Sequence, residues 1–301
     1  MHGLTRRAFL HTALRAMAPH TPGLTLGFST YGMPALTTAR ALREIAAIGF
    51  DSVELAILPD RDAAPARLDA TRRKEIRNML RDLPLRLTAL MENLTPSPRA
   101  STHREALDRL ARAADLAHDL APDRLPLVET VLGGGSWDRV RTLFRDRLGD
   151  WVRVLAARRI VLAIKPHRFG AMSLPEEAVW LIRQLHDTPW LRLAFDASHY
   201  LLRGRTLESL VDAAAGCTGF VAVKDVVMRE GKAVFELPGE TGTQDYPALF
   251  GLLAKAGYRG DINCEVSGMV SARRGYDASA AARLCYRNMA AALKVAKLRS
   301  A

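Results

Sequence analysis

The chain has 301 residues, 49% of them hydrophobic and 25% charged, and 43 Lys and Arg against 32 Asp and Glu give a formal net charge of +11. That length suits one large α/β barrel or two modest domains, and no apolar run approaches the ~20 residues that span a bilayer, so no transmembrane segment is expected. The basic balance favours anionic partners, but the arginines are spread along helical stretches such as Arg72-Arg-Lys-Glu-Ile-Arg77 and no aromatic-interleaved basic stripe occurs, which argues against nucleic acid.

The first segment, Thr5-Arg-Arg-Ala-Phe-Leu10, pairs two arginines with apolar residues in the manner of a twin-arginine export signal, although His11 and Arg15 interrupt the apolar run that follows. Residues 1–22 are therefore read as a leader outside the fold. It serves export by the twin-arginine route or, alternatively, stays in the cytoplasm. Residues 23–301 are read as one domain.

From Gly23 onward, strand and helix patterns alternate. Short apolar or β-branched runs mark strands at Leu24–Ser29, Ser52–Ile57, Leu85–Met91, Pro126–Leu132, Ile160–Lys165, Leu191–Asp196, Phe220–Lys224 and Ile262–Val266. Amphipathic stretches mark helices at Thr37–Ile48, Asp69–Leu83, Thr102–Leu120, Trp137–Arg158, Pro175–His186, Thr206–Ala215, Tyr246–Gly257 and Ala278–Lys297. Punctuation supports the boundaries: Gly49 and Gly257 are placed to end helices, and Ser173-Leu-Pro-Glu-Glu177 reads as a helix start with Ser173 as its N-cap. Eight βα units predict a single (β/α)8 TIM barrel. A doubly wound open sheet is the alternative, weakened because no G-x-G-x-x-G follows the first strand. Three cysteines, Cys217, Cys264 and Cys285, are odd in number and lack C-x-x-C spacing, so neither a disulfide framework nor a structural zinc site is expected.

Ionisable residues recur where these apolar strands end, and a buried charge costs several kcal/mol unless it is paired. In a barrel such positions converge on one mouth. The set is Glu54, Glu92, Glu129, Lys165, His167, Asp196, His199, Lys224 and Glu265. For Glu54 and Glu92 the plainer explanation, a carboxylate serving neighbouring helices, is strongest. Lys165, Asp196 and Glu265 together are harder to explain by packing. Phe28, Tyr31, Trp137 and Tyr200 could line the mouth or simply pack.

Five segments carry a family resemblance by their order and spacing: Gly49-Phe-Asp-Ser-Val-Glu-Leu55, Phe195-Asp-Ala-Ser-His-Tyr200, Val223-Lys-Asp225, Leu237-Pro-Gly-Glu240 with Asp245-Tyr246, and Gly257-Tyr-Arg-Gly-Asp-Ile-Asn-Cys-Glu265. Over residues 23–298 the chain resembles the sugar phosphate isomerase/epimerase family with a xylose-isomerase-like barrel, which includes epimerases, isomerases, dehydratases and the type-IV endonucleases. The resemblance implies one divalent cation held by Glu, Asp, His and Glu from strands five to eight. The second and fourth positions match Asp196 and Glu265. The first is Lys165, in Lys165-Pro-His167, and the third is Ala222, in Ala222-Val-Lys-Asp225.

Two carboxylates beside an ammonium make a poor divalent site. The first reading is thus a carbohydrate isomerase or epimerase without metal or other cofactor. In it Glu265 removes a proton next to a carbonyl, Lys165 pairs with Asp196 and Glu265 and either polarises the oxygen or forms a Schiff base, and Asp196 completes the charge set. His199 shuttles protons, and His167, Lys224, Glu129 and Glu92 bind a small-molecule carbohydrate. A second reading keeps a divalent metal on Glu129, Asp196, Glu265 and a histidine. A third is a non-catalytic carbohydrate-binding barrel. The endonuclease branch needs several zinc-binding histidines, and only His167 and His199 reach the mouth. Oligomeric state stays open, a homo-oligomer included.

Overall fold

The structure, a computed structural model, describes residues 23–298; the proposed leader lies outside the described residues. Eight parallel strands close into a barrel in the circular order β1-β10-β7-β6-β5-β4-β3-β2. These are β1 (Thr25–Ser29), β2 (Ser52–Ala56), β3 (Arg86–Met91), β4 (Leu127–Thr130), β5 (Leu162–Ile164), β6 (Leu191–Phe195), β7 (Thr218–Val223) and β10 (Asp261–Cys264). The last strand pairs with the first, Phe28 opposite Cys264, which rules out the open sheet. Helices α1 (Thr38–Ile48), α2 (Ala70–Asp82), α3 (Ala100–Leu120), α4 (Trp137–Ala156), α5 (Pro175–Gln184), α6 (Leu207–Ala214), α7 (Tyr246–Lys255) and α9 (Ala278–Val295) alternate with the strands. The short α8 (Gly268–Ser271) follows the last strand.

Local chemistry sets the boundaries. Gly49 ends α1 with φ of 106°, a left-handed cap that a side chain would strain. The cap of α5 is Leu174 rather than Ser173, because the Glu177 carboxylate reaches back to accept from the backbone N–H groups of both, at 3.0 and 2.5 Å.

Barrel strands are buried on both faces. Outward residues such as Leu26, Val53 and Leu193 pack under the helices, while Ala89, Ala163, Ala194 and Ala222 meet Phe220 inside the barrel. Small interior residues leave space that long polar side chains nearer the C-terminal end can fill.

Besides α8, a hairpin escaped the sequence reading. Between β7 and α7 the chain forms an antiparallel hairpin, β8 (Asp225–Arg229) and β9 (Lys232–Glu236). Its two-residue turn is Glu230-Gly231, with φ of 49° and 73°. Two positive values in sequence are what a tight hairpin requires. Glu236 anchors it through Arg229 at 2.7 Å and Arg273 at 2.6 Å.

Candidate active site

Five consecutive strands of the circle each deliver one charged side chain to the C-terminal end: Glu129 from β4, then Lys165, Asp196, Lys224 and Glu265 immediately after β5, β6, β7 and β10. All five are buried, at most 7% exposed. Lys165 Nζ donates to Glu265 Oε2 at 2.5 Å and lies 3.0 Å from Glu129 Oε1. Lys224 Nζ donates to Glu265 Oε1 at 2.8 Å and to Asp196 Oδ2. Glu265 therefore bridges two ammonium groups with its two oxygens. The sequence reading paired Lys165 with Asp196 and Glu265; the contact to Glu265 is present, but the direct partner of Asp196 is Lys224, which extends from the adjacent strand.

These contacts decide the charges. Burial works against the charged forms, yet Lys165 and Lys224 overcome it at Glu265 and pull its carboxyl down to about 2. Asp196 is likewise held well below the usual range, because Lys224 and His199 outweigh its burial. Burial also disfavours the Lys165 ammonium, but Glu129 and Glu265 reverse the balance and hold it protonated. The other two carboxyls go the opposite way. Burial, then repulsion from Glu129, pushes Glu54 up to about 8, and burial raises Glu129 despite Lys165. Glu54 Oε2 accepts from Asn263 Nδ2 at 3.1 Å, while Oε1 is buried without a hydrogen-bond partner. Two ammonium ions thus face two firmly ionised carboxylates, with two carboxyls of raised proton affinity beside them.

His199 is buried between charge and ring. Its Nδ1 accepts from the Arg168 backbone N–H at 3.2 Å, so the proton of the neutral ring sits on Nε2, 3.4 Å from Asp196 Oδ2. Burial and then Lys224 lower its pKa to about 4. His167 is lowered to about 3 by burial and by His199. The rings form a closed circuit: His167 to His199 at 4.2 Å, His199 to Phe235 at 4.9 Å, Phe235 to Phe169 at 6.1 Å, and Phe169 back to His167 at 5.7 Å. Phe235 comes from the unforeseen hairpin and lies 5.1 Å from Lys224 Nζ.

Glu92 is not brought into this network. Its carboxylate turns onto Arg109 of α3 and accepts from the Asn93 N–H at 3.0 Å. Asp225, matched by the family pattern, is structural here: it accepts from Gly239 N, Thr241 N, Thr241 Oγ1 and Tyr246 Oη at 2.7–2.9 Å and ties the following loop to the hairpin. Sequence reasoning missed Phe235 and Phe169. The signal for the first was present in Val226-Val-Met-Arg-Glu-Gly-Lys-Ala-Val-Phe235, two β-prone runs around Glu-Gly.

The residues present do not fit the divalent site that the resemblance implies. An ammonium stands at the first ligand position and pairs with Glu265 of the fourth. The third position, Ala222, offers no donor and packs in the interior alanine layer. Among the described residues no group of three or more His, Cys, Asp or Glu side chains is arranged to hold a metal ion. None of the described helices is long and apolar enough to cross a membrane.

Solved structures share the fold at low sequence identity. A xylose isomerase-like TIM barrel/4-hydroxyphenylpyruvate dioxygenase fusion protein superposes with a TM-score of 0.75 at 21% identity over 92% of this chain, which spans 44% of that protein's length. D-psicose 3-epimerase gives 0.74 at 12% identity, covering 91% of this chain and 99% of that one. The 3-keto-D-glucoside 4-epimerase from E. coli gives 0.70 at 16%, covering 89% and 99%. No curated protein matches the chain significantly by sequence. A family description does match, over residues 42–287 and hence across seven of the eight barrel strands: the chain belongs to the xylose isomerase-like TIM barrel family.

Proposed function

We propose that the chain is an isomerase- or epimerase-type enzyme acting on a sugar or sugar derivative. It moves a proton at the carbon next to a carbonyl, and two lysine ammonium groups supply the positive charge. The observation that carries this reading is the double bridge of Glu265 between Lys165 and Lys224, with Asp196 and Glu129 as outer partners. As such a proton leaves, negative charge develops on the carbonyl oxygen, and fixed donors aimed there stabilise the transition state more than the substrate. Two fold neighbours that carry sugar-epimerase names support the substrate class.

Each residue has a role that its environment permits. Lys165 is held as an ammonium, so it acts by charge and hydrogen bonding; a Schiff base needs the free amine. Glu265 is the base, kept in reserve at about 2 while both ammonium groups hold it. A substrate oxygen that takes over one of those hydrogen bonds frees a carboxylate oxygen and raises its proton affinity. The neutral imidazoles of His167 and His199 bind hydroxyls and pass protons.

A non-catalytic binding barrel is the second reading, favoured by the burial of every charged member of the network. One experiment separates the two. Purified protein is incubated with a panel of ketoses and aldoses in heavy water, and deuterium entry next to the carbonyl is followed by NMR. Exchange that persists in chelator and disappears in Lys165→Met supports the proposal. Exchange that needs added divalent ion overturns its metal-free chemistry, and no exchange with any sugar favours the binding barrel.

A further inference from the structure

The opposite end of the barrel, where the strands begin, carries a half-open cavity of about 300 Å³. Three arginines from three separate segments line it: Arg124 in the α3–β4 loop, Arg159 just after α4, and Arg192 in β6. Among the described residues none of the three forms an ion pair with a carboxylate. Asp261, the one acid in the wall, pairs with Arg86 at 2.5 Å and accepts from Thr25 Oγ1 at 2.6 Å, both through Oδ1. Arg86 Nε, beside it, is buried without a partner.

The cavity is shaped around these side chains. Arg192 Nη1 donates to the carbonyls of Thr188 and Leu191 at 3.2 and 3.1 Å, which fixes one arm of its fork. Its stem crosses Gly219, where an added Cβ would stand 2.7 Å from Arg192 Cβ. At Gly260 an added Cβ would meet Tyr258 Oη at 2.4 Å. Two glycines in the lining thus make room for the side chains that form the wall. Arg159 follows α4 with φ of 60°, a left-handed position where glycine is the cheaper occupant.

Guanidinium groups that line one cavity without carboxylate partners attract anions, and a free planar fork matches phosphate oxygens in pairs. A single carboxylate would leave most of that charge uncompensated, whereas a phosphate dianion brings more charge and three terminal oxygens to the three guanidinium groups. We infer that this cavity is a second ligand site, separate from the proposed chemistry at the other end, and that it takes a small phosphorylated molecule. A cavity of this volume sits at the lower end of the range for small-molecule pockets.

The test is titration calorimetry of the full chain with inorganic phosphate and with pyrophosphate. The double variant Arg124→Gln/Arg159→Gln changes only exposed rim residues, so its fold is retained. Saturable binding of at least one probe, weakened about tenfold or more in the double variant, is expected. Arg192→Lys, which keeps the charge and loses the fork, should weaken it as well. No saturable binding of either probe overturns the inference, as does unchanged affinity in the double variant. Tighter binding of a single-stranded oligonucleotide than of pyrophosphate, lost in the same variant, would replace the small-molecule site by a nucleic-acid surface.

Discussion

Lys165 and Glu265, 100 residues apart in the chain, meet at 2.5 Å inside the barrel. Their strands are not neighbours, since β6 and β7 stand between β5 and β10. The contact therefore crosses the barrel end and is made by side-chain length, not by strand pairing.

Removing its cation should be costly. Lys165→Met leaves Glu129 and Glu265 buried with one ammonium fewer, and breaking a buried pair costs ~3–5 kcal/mol. Urea denaturation at neutral pH should show that loss. The deficit should narrow as pH falls, because protonated carboxyls need no counter-ion. A deficit independent of pH would contradict the charge assignment.

Glu54 predicts an alkaline weakness. Its carboxyl titrates at about 8 in the fold against an ordinary 4.5, so between those values the folded chain holds a proton that the unfolded chain has released. This group's contribution is complete below 4.5 and is lost as pH rises through 8. Glu54→Gln keeps an acceptor for Asn263 and should flatten the fall in Tm across that window, with little change in acid.

Phe235 predicts the environment of His199. Phe→Ala substitutions in cores cost ~3–5 kcal/mol, and here the change also opens the imidazole to water. In Phe235→Ala the His199 pKa, followed by NMR, should climb from about 4 towards the ordinary 6.5. The wild-type ring is neutral in the fold, so its contribution to stability is lost as pH falls from 6.5 to about 4. The variant should show a shallower acid decline. An unchanged His199 titration would mean that the hairpin does not shield the site.

The departures from the family's ligand pattern are reversible in principle. Lys165→Glu alone should not bind a divalent ion tightly, because Ala222 still offers no donor. Lys165→Glu with Ala222→His should bind Mn2+ or Co2+ measurably in a calorimetric titration. Failure of the double variant would undo the matching of Lys165 and Ala222 to those ligand positions.

The barrel was legible because burial on both faces forces continuous apolar runs, and a charge that ends such a run stands out, as Lys165 does after Leu162-Ala-Ile164. The partners of those charges were not legible. Whether Asp196 meets Lys165 or Lys224 depends on how the strands close round the circle. Glu92 shows the same limit: Met91, not Glu92, stands opposite Glu129, so Glu92 falls on the other face of the strand, where Arg109 of α3 meets it. The hairpin was hidden for a different reason. Its strands are short and half exposed, and their alternation was overlooked between two stronger patterns. With it went Phe235, whose importance comes from lying against His199 rather than from any local motif.

The five charged groups stand on five adjacent strands of the circumference, and the last of them, Glu265, comes from the final strand of the barrel. A chain folded only through β7 would hold Lys165 and Lys224 without the carboxylate that joins them. Lys165 would keep Glu129 and Lys224 would keep Asp196, as two separate pairs. The C-terminal strand is thus the clasp of this half of the circle, joining two ion pairs into one network.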